Sequence, residues 1–202
     1  MYPIAKRLFD ILFSLIGIVL LSPLFAVAAL LIKLDSEGPV FYRGVRAGKD
    51  GKPFRIFKFR TMVVNADKIG GPSTSADDPR LTRVGKILRR YKIDEFPQMI
   101  NILKGEMSFV GPRPEVLQEV ELYTDEERLL LSVPPGMVDY ATTRFHNEEE
   151  ILGGAADPHQ AYREKIRPEK IRLGLEYVRT RSFWGDIKIL LQFITTLIKT
   201  RV

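Results

Sequence analysis

Residues 8–32, LFDILFSLIGIVLLSPLFAVAALLI, contain three polar side chains, Asp10, Ser14 and Ser22. A run this apolar has to leave water, and by length it suffices for a bilayer, which takes ~20 apolar residues. Two features argue against a straight crossing. Ser22-Pro23 falls near the middle, and proline removes a helix hydrogen bond and kinks the helix. Basic residues also stand on both flanks: Lys6 and Arg7 before, and Lys33, Arg43, Arg46, Lys49 and Lys52 after. Positive flanks stay cytoplasmic, so both ends are expected on one side. A broken helix that enters and leaves by the same face satisfies both facts, with Ser22 and Pro23 at its kink. It is preferred to a straight span, a signal peptide or a buried core helix. Ala26-Val27-Ala28 resembles a signal cleavage site, but the apolar run continues past it. Asp10 is costly in lipid without a partner, and Arg7, three residues earlier on the same helix face, is the expected one.

The remainder reads as one domain, α+β in class, mostly helical with a small β-hairpin. Residues 39–62 flank Asp50-Gly51, a turn signal, with two runs of apolar and basic residues. Arg55 is expected on one face of the second run, and Lys58 and Arg60 on the other. Residues 65–79 read as a mobile loop. Asp78-Pro79 is expected to start a helix, with Asp78 as N-cap. Its apolar stripe would be Leu81, Val84, Leu88 and Tyr91, opposite Arg83, Lys86 and Arg90. Residues 97–104 form a short helix opened by Pro97 and ended by Gly105. Residues 105–115 are turn-rich, 115–132 helical, 146–162 acidic and then loop-like, and 168–180 helical. The tail carries Trp184, Ile187, Leu190, Leu191, Ile194, Leu197 and Ile198 on one face. That pattern suits a membrane interface or packing on the core.

The chain has 31 Lys+Arg against 25 Asp+Glu, no cysteine and two histidines, His146 and His159. The basic balance fits nucleic acid, anionic membrane or phosphorylated substrates. Thiolate catalysis and Cys-based zinc sites are excluded. Chemistry concentrates in residues 92–115, KIDEFPQMINILKGEMSFVGPRPE. Adjacent Asp94 and Glu95 cannot straddle a glycosidic bond, since that needs carboxylates ~5 Å or more apart. They can serve one phosphate. An ionised Asp94 is a ready nucleophile once the electrophile's charge is neutralised. Mg²⁺ does this for pyrophosphates through one or two carboxylates, here Asp94. The helix opened by Pro97 adds partial positive charge beside it. Arg113, fixed between Pro112 and Pro114, offers a guanidinium fork for phosphate oxygens.

Lys6-Arg7-Leu8-Phe9-Asp10, Ser22-Pro23, Gly51-Lys52-Pro53-Phe54 through Lys58-Phe59-Arg60-Thr61-Met62, Asp94-Glu95-Phe96-Pro97-Gln98 and residues 105–114 (GEMSFVGPRP) together resemble the small monotopic phosphoglycosyl transferases of the bacterial sugar transferase family. The likeness covers nearly the whole chain and is most specific over residues 78–115. It implies a Mg²⁺-dependent enzyme that transfers a sugar-1-phosphate from a UDP-sugar to polyprenol phosphate (undecaprenyl phosphate in bacteria), releases UMP and starts envelope glycan assembly. It implies Asp94 as covalent nucleophile, Glu95 as its dyad partner and Arg113 on phosphate. Lys58, Arg60 and Arg90 are further candidates for phosphate. It also implies a re-entrant helix over 1–36, a membrane-associated catalytic domain over 37–202, contact with membrane lipids, and a place on the cytoplasmic face of the bacterial inner membrane.

This chain departs from the family pattern in two places. Gly174 stands where many relatives carry Asp three residues before Tyr177, leaving Glu176 as an unproven substitute. Residues 137–147 also differ in wording. The competing readings are an anionic-lipid-binding module without catalysis and a nucleic-acid binder on the basic helix. The second lacks a stacking platform or motif.

Overall fold

The computed structural model describes residues 2–70, 78–145, 148–153 and 157–199. The N-terminal segment forms two helices, α1 (Tyr2–Leu20) and α2 (Ser22–Asp35), bent by 60° at the break. Pro23 sits in the first turn of α2, where its missing N–H is not needed, and Ser22 Oγ donates to Val19 O at 2.8 Å. No single described helix is long and apolar enough to cross a membrane, but the bent pair together is.

Helix α1 is inverted relative to a helix of a water-soluble domain. Its buried residues are Asp10 and Ser14, while Leu8, Leu12, Leu15, Val19 and Leu20 are exposed. Asp10 Oδ1 accepts from Ser108 Oγ and Phe109 N, both at 3.1 Å. This corrects the expected Arg7–Asp10 pair. Arg7 instead donates to the carbonyls of Ile102 (2.6 Å) and Leu103 (2.8 Å).

The hairpin forms as expected. Strands β1 (Phe41–Tyr42) and β2 (Val45–Ala47) pair antiparallel with β4 (Lys58–Phe59) and β3 (Pro53–Arg55). One register runs throughout, from Phe41 opposite Phe59 to Ala47 opposite Pro53. Asp50 and Gly51 take the positive φ that reverses the chain.

A short helix α3 (Ala66–Ile69) follows, and residues 71–77 of the expected loop lie outside the described residues. Helix α4 (Arg83–Arg90) starts later than the sequence suggests. Its N-cap is Thr82, whose Oγ1 accepts from Gly85 N at 2.9 Å. Asp78 is unavailable as a cap because its carboxylate holds the Arg80 guanidinium at 2.7–3.2 Å and the Arg80 N–H. Leu81 accordingly leaves the apolar stripe and bridges Met62. Val84 and Leu88 pack with Ala28, Ile32 and Phe59, whereas Tyr91 is exposed.

Helix α5 (Gln98–Lys104) ends where Gly105 adopts φ 84°. The stretch read as turn-rich contains a strand, β5 (Ser108–Val110), parallel to β6 (Gly136–Val138). The strands meet so closely that a Cβ on Gly136 would lie 2.1 Å from Gly111 N. Residues 115–132 form a short helix α6 (Leu117–Glu121) and a 3-10 segment (Glu127–Ser132) rather than one helix. Then come α7 (Tyr140–Arg144), α8 (Glu148–Ile151), α9 (Pro158–Lys165), α10 (Arg167–Thr180) and α11 (Phe183–Lys199). Residues 146, 147 and 154–156 lie outside the described residues; of the loop expected there, α8 lies between these positions and α9 follows them.

The main core gathers Val110, Val138, Leu130, Leu175, Tyr177 and Ile189. Each such aliphatic side chain contributes on the order of 2 kcal/mol by leaving water. The apolar face expected on α11 is divided. Leu190 packs against this core, while Trp184, Leu191 and Ile194 are exposed. A buried node ties both ends of the chain together. The Asp186 carboxylate accepts from Lys6 Nζ (2.6 Å), Tyr2 OH (3.0 Å) and Tyr177 OH (2.9 Å).

Candidate active site

Asp94 and Glu95 lie in a single 3-10 turn (Ile93–Glu95) between α4 and α5. The residue before it, Lys92, holds a left-handed conformation, φ 54° and ψ 20°. That conformation costs a β-carbon-bearing residue ~1 kcal/mol or more. It reverses the chain sharply enough to turn the acid pair inward, and Asp94 is only 7% exposed.

The two carboxylates are treated differently. Glu95 is saturated by cations. Arg113 forks onto it, Nη2 to Oε1 at 2.5 Å and Nη1 to Oε2 at 3.1 Å, and Lys58 Nζ adds a contact to Oε1 at 2.8 Å. Burial raises its pKa, but Arg113 and Lys58 outweigh burial and hold the Glu95 carboxyl well below the usual range. Burial lowers the Lys58 pKa against the pull of Glu95. Asp94 carries no such clamp, and its Oδ1 is buried without a hydrogen-bond partner among the described residues. Burial and the neighbouring Glu95 charge push its carboxyl up to about 6, partly offset by Lys58, Arg89 and Lys92. Asp94 is thus mostly ionised at neutral pH yet poorly solvated, which suits a nucleophile.

Two rigid supports deliver the cations. Lys58 lies on β4 beside Phe59, which is 1% exposed and anchors that strand in the core. Arg113 sits between its prolines, and its Nη1 also donates to Met137 O at 2.9 Å, at the start of the segment whose wording departs from the family pattern. A cavity of about 250 Å³ opens over this cluster. Its lining includes Lys58, Arg89, Lys92, Glu95 and Arg113, and also Arg46, Glu115, Glu119, Glu148 and Lys170; Asp94 is not among the lining residues.

Two of the expected cations are elsewhere. Arg60 is buried, but its guanidinium closes the end of α2. It donates to Ser36 O at 2.7 Å, to Ser36 Oγ at 3.0 Å and to the carbonyl of Glu37. Arg90 is exposed and does not line the cavity. Its neighbour Arg89 does, because the turn at Lys92 sets which residue of the last helical turn faces the acids. A basic pair at a helix end was the available signal, and helical periodicity does not distinguish which member lines the cavity. Glu176 is an exposed residue paired with Arg172 at 3.3 Å and does not join the cluster. At Gly174 a Cβ would meet Leu130 Cδ2 at 2.8 Å and touch Pro112 Cβ at an ordinary 3.7 Å, so an acid there requires Leu130 to shift.

Among the described residues no three Asp, Glu or His side chains converge as a metal cage. The donor set still suits Mg²⁺ as substrate-bound ions are held, by one or two carboxylates with phosphate oxygens and water completing the shell. Glu95 is occupied by its cations, and the orphaned Asp94 oxygen is the available ligand.

Residues 1–200 match the family model described as bacterial sugar transferase. Similar proteins include a UDP-N-acetylgalactosamine-undecaprenyl-phosphate N-acetylgalactosaminephosphotransferase of Aeromonas hydrophila, 38% identical over 98% of this chain and 44% of that protein. A UDP-glucose:undecaprenyl-phosphate glucose-1-phosphate transferase of Caulobacter vibrioides is 36% identical over 96% of this chain and 70% of its own length. One of the same name from Escherichia coli is 40% identical over 91% and 38%. The chain therefore spans less than half of two of these relatives. With the match running through the hairpin, the acid turn and the Pro-Arg-Pro segment alike, the chain belongs to the bacterial sugar transferase family.

Proposed function

We propose that this chain transfers a sugar-1-phosphate from a UDP-sugar to a polyprenol phosphate, of the undecaprenyl type named for its relatives, through a covalent intermediate on Asp94. The observation that carries this is the asymmetry of the acid pair. Glu95, which lines the cavity, is tied up by Arg113 and Lys58, while its neighbour Asp94, buried just beside that lining residue in the chain, keeps an oxygen with no hydrogen-bond partner among the described residues.

In the first step an Asp94 carboxylate oxygen bonds to the β-phosphorus of the donor. The bond from that phosphorus to the bridging oxygen breaks, and UMP departs with the electron pair. In the second step a phosphate oxygen of the polyprenol bonds to the same phosphorus, the Asp94–phosphorus bond breaks, and the carboxylate returns. Lys58, Arg89, Lys92 and Arg113 neutralise the diphosphate as it enters. Arg113 can exchange Glu95 for phosphate oxygens without reorganising, because its prolines fix the backbone. Asp94 would hold Mg²⁺, which would supply further charge neutralisation on the diphosphate.

The acceptor's long apolar tail calls for a membrane-seated site. The inverted surface of α1, with Leu8, Leu12 and Leu15 outward and Asp10 and Ser14 inward, supports seating α1 and α2 in lipid. The bend at Ser22-Pro23 supports a re-entrant path from the cytoplasmic face, with the exposed Trp184 of α11 at the interface. The reaction would begin assembly of an envelope polysaccharide.

The test is incubation of detergent-solubilised protein with Mg²⁺ and a panel of UDP-sugars, read by intact-protein mass spectrometry and by UMP release. A phosphosugar adduct on Asp94, discharged by undecaprenyl phosphate, is expected with at least one donor. UMP release with no adduct under rapid quench would replace the covalent route by direct transfer. No UMP from any donor would remove the proposed activity.

A further inference from the structure

We propose that Glu115, with Glu119 one turn further on, reads a vicinal diol of the donor and so helps set which donor is accepted. This rests on the donor being a UDP-sugar. The cavity wall carries both signs of charge. Lys58, Arg89, Lys92 and Arg113 line it, and so do Glu115, just before α6, and Glu119, within it, together with Arg46, Glu148 and Lys170. Carboxylates repel a diphosphate and accept hydrogen bonds from hydroxyls, so the uncharged, hydroxyl-bearing part of the donor belongs on their side.

Glu115 is placed by the same rigid segment that places Arg113. Both residues line the cavity with only Pro114 between them, a separation of roughly 7 Å along an extended chain and about the reach of one sugar ring. The Glu115 carbonyl is pinned by Ala47 N at 2.9 Å. Its carboxylate is aimed by Tyr162, whose OH donates to Oε1 at 2.7 Å and which is itself only 6% exposed. The other oxygen, Oε2, takes no hydrogen bond among the described residues, which leaves an oriented acceptor on the cavity wall.

Glu119 gives a second and independent pointer. It is 3% exposed and lines the same cavity. Arg163 donates to its Oε1 at 2.5 and 3.1 Å, and His159 Nε2 lies 3.3 Å away. Its Oε2 has no hydrogen bond, the Arg167 Nε standing off at 3.6 Å. A buried carboxylate oxygen left without a donor is costly, and a ligand hydroxyl would satisfy it. Two acceptors lining one cavity suit two neighbouring hydroxyls. Such a diol exists both on the hexose and on the ribose of the donor.

The test compares the preferred UDP-sugar with analogues lacking single hexose hydroxyls and with its 2′-deoxyuridine counterpart, using wild type, Glu115→Ala and Glu119→Gln. For the wild type, removing the hydroxyl that is read should lower kcat/KM about 10- to 100-fold, the loss for a hydrogen bond to a charged group. In Glu115→Ala that preference should shrink to about twofold, because the parent donor loses its contact and the analogue has none to lose. Glu119→Gln should weaken the same preference. Whether the hexose or the ribose analogue responds identifies the diol. If Glu115→Ala does not fold, Tyr162→Phe, which frees the carboxylate without removing it, should reduce the same ratio. Equal slowing with every donor, leaving the ratio at its wild-type value, would make these carboxylates structural and overturn the proposal. A wild type that releases no UMP from any donor fails earlier, in the activity itself, and takes this proposal with it.

Discussion

Replacing Asp94 by Asn should abolish turnover and at the same time stabilise the fold at neutral pH. The carboxyl is 7% exposed and pushed up to about 6 by burial and by Glu95. Against an ordinary value of 3.8 this is about two units, or roughly 3 kcal/mol of penalty for keeping the charge buried. The sign follows from linkage. A carboxyl whose folded pKa is raised leaves stability untouched below about 3.8 and erodes it as pH rises through about 6. The amide of Asn never ionises, so the penalty disappears. An amide donor without a partner takes back ~1–2 kcal/mol, leaving a net gain of about 1–2 kcal/mol at pH 7.5. For a chain of this size that is a rise in melting temperature of roughly 3–6 °C. The assay is thermal melting of both proteins in one detergent at several pH values, alongside UMP release. The gain should be largest above pH 7 and shrink towards pH 4. A variant less stable than wild type at pH 7.5, or a gain independent of pH, would refute the account of Asp94 as a buried, poorly solvated charge. Turnover above a few per cent of wild type, in protein free of deamidation, would remove Asp94 as nucleophile.

On the proposed mechanism the same carboxyl would set the acid limb of activity: kcat/KM should fall tenfold per unit once the pH drops below about 6, because a protonated Asp94 could not attack. A limb at the ordinary carboxylate value would place the limiting group elsewhere. Arg113→Lys should lower kcat/KM roughly 100-fold or more, since an ammonium cannot reproduce the fork that holds both Glu95 oxygens. Near-normal kinetics would reduce Arg113 to a turn residue. Pro23→Ala should let the helices straighten into a segment long enough to cross a bilayer, giving mixed topology. The chain has no native cysteine, so a single Cys at residue 2 reports this directly. It should be shielded from an impermeant thiol reagent in intact cells of the wild type and partly labelled in the variant. Labelling of the wild type would show a true crossing, and unchanged shielding of the variant would assign the topology to the flanking charges.

Local signals carried far in this chain. The Asp50-Gly51 turn fixes the hairpin register over its whole length, and Gly105 ends α5 at its expected position. What sequence could not supply was pairing across long separations. Ser108–Val110 looks like turn because Gly and Pro surround it, and it becomes a strand only because Gly136–Val138, far along the chain, lies parallel beside it. Asp10 has an obvious local partner in Arg7, yet Ser108 and Phe109 hold it, and Arg7 is taken up by the Ile102 and Leu103 carbonyls at the C-terminus of α5. The site divides in the same way. The acid turn and Pro-Arg-Pro were visible as neighbouring motifs. That Arg89 rather than Arg90 lines the cavity was not legible, and neither was the left-handed Lys92, for which the sequence has no glycine to announce it.

The charges at the start of α1 alter how the membrane segment relates to the chemistry. Positive flanks are normally read as contacts with lipid headgroups, but Lys6 and Arg7 are already engaged by protein. Lys6 bonds Asp186 and the carbonyl of Val110, and Arg7 holds the last carbonyls of α5. Asp10 adds its bonds to Ser108 and Phe109. These three residues, all within the first half of α1, therefore grip the two elements that bracket the site: α5, which follows directly from the acid turn, and β5, which leads into Pro-Arg-Pro. Helix α1 acts as a fixed strut rather than a tether. With its apolar face outward in lipid, the strut would set the depth of Asp94 relative to the headgroup layer. If the acceptor is the membrane-bound polyprenol phosphate proposed above, its phosphate would be confined to that same layer, and a rigid coupling of helix to site would confer the alignment that a flexible anchor would leave to chance.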